Sequence, residues 1–187
     1  MTRCFVAIDL DERIKDRVFE LQQKIAESSL KLVKKENLHI TLKFLGEVPE
    51  DKVHGVVKRL ESIKLPRFDT EVMGMGAFPD INYIRVVWLG IRDDSQLVEL
   101  AKAVDEGLYD FTHDDQIRSQ SERQATGFSS HLTIARVKSK PSALREVILQ
   151  NKDIFIGKQR VERFSLKKSI LLSKGPIYED LSVFTLA

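Results

Sequence analysis

The order of apolar and polar residues along the chain predicts alternating strands and helices. Apolar side chains at every second position are typical of a strand, and apolar side chains three or four positions apart are typical of a helix. A first strand is predicted at residues 3–10. Four helices are predicted from apolar residues that share one helical face: Ile14, Val18, Leu21 and Ile25; Val53, Val56 or Val57, Leu60 and Ile63; Leu97, Leu100, Val104 and Leu108; and Leu144, Val147 and Ile148.

Glycine and proline residues divide the remaining strand-like runs. Strands are predicted at residues 67–73, 83–89, 154–156, 160–167, 169–172 and 181–186, with Gly175 and Pro176 at a turn. Gly46 is expected to end an earlier strand, and residues 74–79 are expected to form a bulge or turn between two strands. Residues 112–130 are mostly polar and carry little periodicity. They are predicted to form a lid or substrate-contacting loop, with plain flexibility as the alternative.

One four-residue pattern occurs twice in the predicted strands. His39-Ile40-Thr41-Leu42 recurs as His131-Leu132-Thr133-Ile134. Because strand side chains alternate between two faces, the histidine and threonine of each copy share one face, and the two apolar residues face the core. Each copy therefore presents an imidazole beside a hydroxyl.

The residues around the two motifs repeat the same order of elements. Pro49 and Pro141 each lie ten residues after a motif histidine, and each is predicted to open a short helix. This weak duplication predicts two similar lobes related by a pseudo-two-fold axis, from repeat units at about residues 1–92 and 93–187. A pseudo-two-fold axis between the lobes would bring both histidines to a central cleft.

Composition narrows the class of protein. The chain has 187 residues, of which 42% are hydrophobic, enough to bury a sizeable core. The net charge is only +2, which excludes a general polyanion binder, yet residues 131–187 carry 11 Lys and Arg against 5 Asp and Glu. This basic third either steers a phosphate-bearing ligand or forms a solvated basic face.

The single cysteine and the lack of long apolar runs indicate the compartment. Cys4 lies in a strand-like run and is predicted to be a buried core residue, so neither an internal disulfide nor a cysteine cluster for zinc is expected. No signal peptide or membrane-spanning run is apparent in the sequence. We therefore expect a soluble protein of the cytoplasm that does not associate with a membrane.

Two histidines that face one cleft suit acid–base chemistry at phosphorus. One imidazole can take a proton while the other gives one, as in-line displacement requires at the incoming and leaving oxygens. The threonine hydroxyls and Arg136 could hold the non-bridging oxygens. Strict alternation places Arg136 on the strand face opposite His131, so a bulge or a strand end is expected between them.

Two other interpretations of the histidines remain open. Zinc is a competitor because histidine is a common zinc ligand, but threonine is a poor one and neither motif carries an Asp, Glu or Cys. The histidines could also be buried strand residues with no chemical role. That interpretation leaves the repeated threonine unexplained.

Longer segments around the motifs extend the pattern over nearly the whole chain. They are Arg3-Cys4-Phe5-Val6-Ala7-Ile8-Asp9, Asn37-Leu38-His39-Ile40-Thr41-Leu42-Lys43-Phe44-Leu45-Gly46, His131-Leu132-Thr133-Ile134-Ala135-Arg136 and Gly175-Pro176-Ile177-Tyr178. Paired His-x-Thr-x motifs are the hallmark of the 2H phosphoesterase superfamily. The sequence resembles its RNA 2′,3′-cyclic phosphodiesterase branch, also called the 2′-5′ RNA ligase family.

The resemblance implies one bilobal α+β domain over residues 1–187, with two antiparallel sheets that flank the cleft. It also implies a reaction that requires no metal and no other cofactor. It implies His39 as the general acid on the ribose 3′ oxygen and His131 as the general base for water. Thr41, Thr133 and Arg136 would bind the phosphate.

The resemblance also implies the substrate and a nucleoside contact. Phe5 would pack against the nucleoside of an RNA 2′,3′-cyclic phosphate end or of a cyclic nucleotide. The product would be a 2′-phosphate, and reversal of the steps would join RNA ends through a 2′-5′ linkage. We expect a monomer. The alternative is a nucleotide-binding module of the same fold without turnover.

Overall fold

The structure is a computed structural model that describes residues 1–92, 94–112, 128–139, 143–173 and 175–187. Within these ranges the strands are β1 (Thr2–Asp9), β2 (Leu30–Leu32), β3 (His39–Val48), β4 (Phe68–Asp80), β5 (Tyr83–Arg92), β6 (His131–Val137), β7 (Phe155–Val161), β8 (Arg163–Leu172) and β9 (Gly175–Thr185). The helices are α1 (Glu12–Ile25), α2 (Glu50–Glu61), α3 (Ser95–Gly107), α4 (Tyr109–Thr112) and α5 (Leu144–Gln150). Most of the predicted loop at residues 112–130, and the predicted helix start at Pro141, lie outside the described residues.

The strands form two antiparallel sheets, as the predicted α+β class requires. The first lobe is built on a four-stranded sheet of order β3-β1-β8-β9, and the second lobe on a five-stranded sheet of order β2-β6-β5-β4-β7. Each sheet combines strands from before and after residue 92. The sheets therefore do not coincide with the two predicted repeat units, although each sheet contains one copy of the repeated motif.

The helices cross between the lobes. α1 follows β1 of the first lobe in sequence but packs on β6 and β7 of the second, whereas α3 follows β5 of the second lobe and packs on β3 of the first. An ion pair between Lys43 of β3 and Asp105 of α3 reinforces the second of these contacts. The predicted inward face of α1 is confirmed, since its four apolar residues are all buried. No helix in the described ranges is both long and apolar enough to cross a membrane.

Three strand boundaries differ from the prediction. β4 runs without interruption from Phe68 to Asp80, and residues 74–79 lie inside it after a register shift between Val72 and Met75. The strand with the first motif continues through Gly46, which has a φ of 72°, as far as Val48. Gly175 begins β9 and does not lie in a turn before it. In the first two cases a register irregularity breaks the period-two pattern without ending the strand.

Each motif contains a bulge at its fourth residue. In β3, Thr41 pairs with Ala7 and Lys43 with Val6, so that Leu42 is the extra residue. In β6, Thr133 pairs with Trp88 and Ala135 with Val87, so that Ile134 is extra. A bulge reverses the alternation beyond it and brings the sixth residue of each segment to the face of the histidine. A bulge or a strand end was predicted between His131 and Arg136, and the structure has the bulge.

Gln22 ties α1 to the bulge in β6. Its side chain is 1% exposed, and Nε2 donates hydrogen bonds to the backbone carbonyls of Val33 at 2.8 Å and Ile134 at 2.7 Å. The Ile134 carbonyl also accepts a hydrogen bond from the Val33 amide at 2.9 Å. Gln22 therefore supplies a donor to the carbonyl of the bulged residue Ile134 and to the carbonyl of Val33. A buried carbonyl without a donor would destabilise the fold.

We expect Gln22→Leu to lower the free energy of unfolding by about 1–3 kcal/mol, because the buried carbonyl of Ile134 and the partly buried carbonyl of Val33 each lose a donor. Urea denaturation monitored by circular dichroism measures the change. Gln23 is exposed on the same helix, so Gln23→Leu is the matched control and should change stability by less than about 0.5 kcal/mol. Equal effects of the two substitutions would contradict this role for Gln22.

Candidate active site

The two motif strands meet at a cleft between the lobes. β3 and β6 contact each other although they belong to different sheets. A cavity of about 470 Å³ lies at this junction, and five of the six predicted site residues line it: His39, Thr41, His131, Thr133 and Arg136. The prediction that the two motifs form one site is thus consistent with the geometry of the cleft.

The two imidazoles are held in the same way. His39 Nδ1 lies 2.7 Å from the carbonyl oxygen of Asn37, and His131 Nδ1 lies 2.6 Å from the carbonyl oxygen of Ser129. A carbonyl oxygen only accepts hydrogen bonds, so Nδ1 carries a proton in both rings. In the neutral ring Nε2 is therefore the basic nitrogen, and in the charged ring Nε2 carries the proton that can be transferred.

The threonines complete the polar surface of the cleft. Thr41 Oγ1 lies 3.0 Å from His39 Nε2, within hydrogen-bond distance. Thr133 occupies the equivalent position after His131 and also lines the cleft. Each hydroxyl can donate or accept, so it can serve the neighbouring imidazole or a phosphate oxygen.

Arg136 and Phe44 reach the cleft by the same route on opposite lobes. Each lies two residues beyond a bulged position, and each lines the cavity. Arg136 is joined there by Lys31, its pairing partner in β2, and by Lys34. Three cations at one cavity favour an anionic ligand, and the guanidinium suits bidentate contact with phosphate oxygens.

Each histidine packs against aromatic rings of its own lobe. The His39 ring centroid lies 5.0 Å from that of Phe5 and 5.3 Å from that of Tyr178. On the other lobe the His131 centroid lies 5.0 Å from that of Phe78, which also packs on Trp88. These contacts restrict the tilt of the rings and place both imidazoles at the edge of an apolar wall.

The nucleoside contact predicted for Phe5 does not fit its position. Phe5 is only 3% exposed and lies behind His39 and Tyr178, because β1 is an inner strand of its sheet. Its contact is with the imidazole of His39 and not with the space of the cleft. Phe44, which is 72% exposed, and Tyr178 are the aromatic residues of the first lobe that line the cavity.

The surroundings of His39 shift its titration. Burial lowers the pKa of His39, the hydrogen bond to the Asn37 carbonyl partly opposes this, and the nearby Lys167 ammonium lowers the pKa further. Lys167 itself is buried and contacts Asp9 at 2.9 Å and Asp180 at 2.6 Å. Burial alone would lower the pKa of Lys167, but the bonds to these two carboxylates outweigh it and raise the pKa.

Asn37 and Tyr178 are among the residues of the site that were not identified from the sequence. Asn37 supplies the carbonyl for His39, and its side-chain Nδ2 donates to the Pro176 carbonyl at 2.9 Å, which fixes β9 beside the motif. Tyr178 lines the cleft, and burial raises the pKa of its phenol although the nearby Arg136 opposes the shift. Both residues lie in the segments that carry the family resemblance, which was the available signal.

Metal ligands are sparse around the cleft. Among the described residues there is no group of three or more His, Cys, Asp or Glu side chains placed to hold one ion. The two histidines with their hydroxyl neighbours are a poor donor set for zinc, as the sequence indicated. Independence from metal remains a prediction.

Related proteins match this chain along most of its length. The family described as LigT like phosphoesterase matches residues 8–88. An RNA 2′,3′-cyclic phosphodiesterase of Archaeoglobus fulgidus is 38% identical over 183 residues, which cover 97% of this chain and 99% of that protein. The protein of the same name from Methanocaldococcus jannaschii is 37% identical over 179 residues, which cover 95% of this chain and 96% of that protein.

Solved structures share the two-lobed arrangement. The crystal structure of TT0787 of Thermus thermophilus matches with a TM-score of 0.82 and 27% identity, over 98% of this chain and 97% of that one. The crystal structure of E. coli LigT complexed with 3′-AMP matches with a TM-score of 0.78 and 25% identity, over 100% and 98% of the two chains. The predicted superfamily is confirmed by these similarities, and the chain belongs to the LigT-like phosphoesterase family.

Proposed function

We propose that this chain is an enzyme that hydrolyses 2′,3′-cyclic phosphate ends of RNA to 2′-phosphates. The observation that carries the proposal is the matched pair of imidazoles, each with Nδ1 hydrogen-bonded to a backbone carbonyl oxygen, which makes Nε2 the nitrogen for acid–base chemistry. Relatives named RNA 2′,3′-cyclic phosphodiesterase align over nearly the whole chain, which supports the same substrate class.

Hydrolysis begins with His39 protonated and His131 neutral. His131 Nε2 takes a proton from water as the water oxygen forms a bond to phosphorus. The bond between phosphorus and the ribose 3′ oxygen breaks, and His39 Nε2 gives its proton to that oxygen. The two rings end with their protonation states exchanged, and proton exchange with solvent restores them.

The phosphate is held by three groups that line the cleft. The Thr41 and Thr133 hydroxyls donate to the non-bridging oxygens, and the Arg136 guanidinium pairs with their negative charge. Charge that builds up on these oxygens during attack is thereby stabilised. We assign the nucleoside contact to Phe44 and Tyr178, whose rings face the same cavity, and not to the buried Phe5.

The assignment of His39 as the acid agrees with its surroundings once the substrate is bound. In the free protein, burial lowers the pKa of His39 and disfavours the protonated ring. A phosphate anion between the two rings favours imidazolium and raises that pKa. Substrate binding therefore favours the protonated form of His39, which then donates its proton to the leaving oxygen.

We draw two wider inferences, one about a ligation reaction and one about the oligomeric state and compartment of the protein. Because each step is reversible, attack by a ribose 2′ hydroxyl in place of water would join RNA ends through a 2′-5′ linkage. We also infer that the protein acts as a monomer in the cytoplasm, since one chain supplies every site residue assigned here and its single Cys4 is buried as a thiol. The substrates are RNA 2′,3′-cyclic phosphate ends or cyclic nucleotides.

We expect His39→Ala and His131→Ala each to reduce turnover of a 2′,3′-cyclic nucleotide about 10²-fold or more, the usual loss for a general acid or base. Product formation is followed by chromatography, and circular dichroism checks that the fold persists. His54→Ala, which changes an exposed histidine of α2, is the control. Near-normal turnover by either cleft variant would contradict the assignment. Binding without turnover by the unaltered chain would favour a nucleotide-binding module.

We expect kcat/KM to be bell-shaped with pH, because one ring must be charged and the other neutral. The pKa of His39 is lowered in the free protein, so the lower apparent pKa of the pair should fall below ~6.5. Bound phosphate favours imidazolium, so the lower apparent pKa should move to higher pH in the profile of kcat, which reports the enzyme–substrate complex. Initial rates across buffers of constant ionic strength provide the measurement. A profile flat from about pH 5 to 9 would argue against a histidine pair.

We expect the product to be predominantly the 2′-phosphate. Arg136 lies on the His131 side of the cleft and Phe44 at the equivalent place on the His39 side, so the two lobes receive phosphate and nucleoside unequally. This asymmetry should admit one sugar orientation, with the 3′ oxygen facing His39. Phosphorus NMR distinguishes the isomers, and an alkaline hydrolysate that contains both is the reference. A predominantly 3′-phosphate product would reverse the orientation but leave the two-histidine mechanism in place.

A further inference from the structure

A second groove lies on the outer part of the second lobe and has no role in the chemistry described above. It has a volume of about 610 Å³ and is lined by residues 81–85 at the β4–β5 connection and the start of β5, residues 137–139 at the end of β6, and residues 144–146 of α5. We name it the Tyr83 groove. We propose that the Tyr83 groove binds the single-stranded RNA that precedes the cyclic phosphate end, and this inference rests on the proposed function.

The Tyr83 groove begins where the catalytic cleft ends. Val86 and Arg136 are paired across β5 and β6, and both line the cleft. The neighbouring residues Arg85 and Val137 line the Tyr83 groove, and Lys138 follows directly after the end of β6. Consecutive Cα atoms are about 3.8 Å apart, so the Cα of Lys138 lies within about 8 Å of that of Arg136, the proposed phosphate ligand. A polynucleotide held at the histidines can therefore continue into the groove.

The charge of the Tyr83 groove suits a phosphate backbone. Arg85, Lys138 and Arg145 line it, and Glu146 is the one acidic residue among the lining positions. Glu146 lies 3.7 Å from Arg145. No Asp or Glu of the described residues is within ion-pair distance of Arg85 or Lys138, so no described carboxylate neutralises either cation. Exposed cations of this kind contribute affinity that is independent of base sequence and sensitive to salt.

An exposed aromatic ring gives the Tyr83 groove a surface for bases. The Tyr83 side chain is 57% exposed, and the Arg85 guanidinium lies over its ring at 5.0 Å from the centroid. Arg85 Nη2 also donates to the Tyr83 hydroxyl at 2.6 Å, which fixes the two planar groups together. Unpaired bases stack on tyrosine rings and on guanidinium planes, whereas duplex RNA keeps its bases inside the helix.

Single-stranded RNA fits this combination better than a protein partner does. A protein partner would be expected to cover a larger apolar surface, whereas this groove joins two cations to a stacking pair beside a phosphodiesterase cleft. The groove would therefore give RNA ends a higher affinity than cyclic mononucleotides, although the histidines act on the same cyclic phosphate in both. A cyclic mononucleotide fills only the cleft, and an RNA end fills both sites.

The test compares a 2′,3′-cyclic mononucleotide with a short single-stranded oligoribonucleotide that ends in the same cyclic nucleotide. The main variant combines Tyr83→Ala, Arg85→Gln and Lys138→Gln. Tyr83→Phe alone keeps the ring but removes the hydroxyl, and Lys58→Gln removes an exposed charge from α2 of the first lobe. Thermal melting of each variant verifies the fold, and Lys138→Gln alone replaces the triple variant if that protein does not fold.

We expect the triple variant to raise the ratio of oligonucleotide KM to mononucleotide KM about tenfold or more, as loss of base stacking and of phosphate contacts requires. Removing two cations should also reduce the slope of log affinity against log salt by about 1.4, at ~0.7 per phosphate contact of a single strand. Tyr83→Phe should keep most of the preference, and Lys58→Gln should leave both substrates unaffected. An unchanged KM ratio in the triple variant, or an equal rise for both substrates, would overturn the proposal.

Binding measurements keep this test separate from the test of catalysis. Fluorescence anisotropy of the labelled oligonucleotide is measured with the His131→Ala protein, with and without the three groove substitutions. Weaker binding with the groove substitutions would support the groove even if the unaltered chain hydrolysed neither substrate. Equal binding with and without them would overturn the groove while leaving the proposed hydrolysis untouched.

Discussion

The hydrogen bond from Nδ1 of each motif histidine to the carbonyl two residues earlier is the constraint on which the site depends. It fixes the tautomer of both rings, so that Nε2 is the reactive nitrogen on each side of the cleft. The carbonyl belongs to the residue that leads into the strand, so the orientation of the ring follows from the backbone path. The same local arrangement thus prepares one imidazole on each lobe for acid–base chemistry at Nε2.

What distinguishes the two sides is found beyond the motifs. The bulges at Leu42 and Ile134 bring Phe44 and Arg136 to equivalent places, and one is a flat apolar ring while the other is a cation. The buried Lys167 with its two carboxylates adds a further charge difference near His39. The two lobes therefore present different groups to the cleft at equivalent positions, and in the proposed function the cation receives the phosphate and the ring receives the nucleoside.

The sequence predicted those features that depend on local periodicity or on the repeated motif. The face of α1 was correct because its apolar spacing is regular. A bulge or strand end was expected before Arg136 because the proposed chemistry requires its side chain on the face of His131, and the structure has the bulge. Phe5 was misplaced because the sequence does not tell which strand of a sheet is internal, and β1 has neighbours on both sides. β2 was missed since Leu30–Leu32 is too short to show a period.

The crossing of elements between the lobes also affects how the protein is made. The first sheet needs β8 and β9, which follow the other described strands in the chain, while α1 can be covered only after β6 and β7 have been synthesised. Neither sheet can form from the early part of the chain alone, because each one includes strands from later in the sequence. Most strand pairs join residues far apart in sequence, which favours slow folding. Tyr178, which lies beside His39, comes from β9. The cleft is therefore completed only once β9 has been synthesised, so a chain truncated before β9 would lack part of its lining.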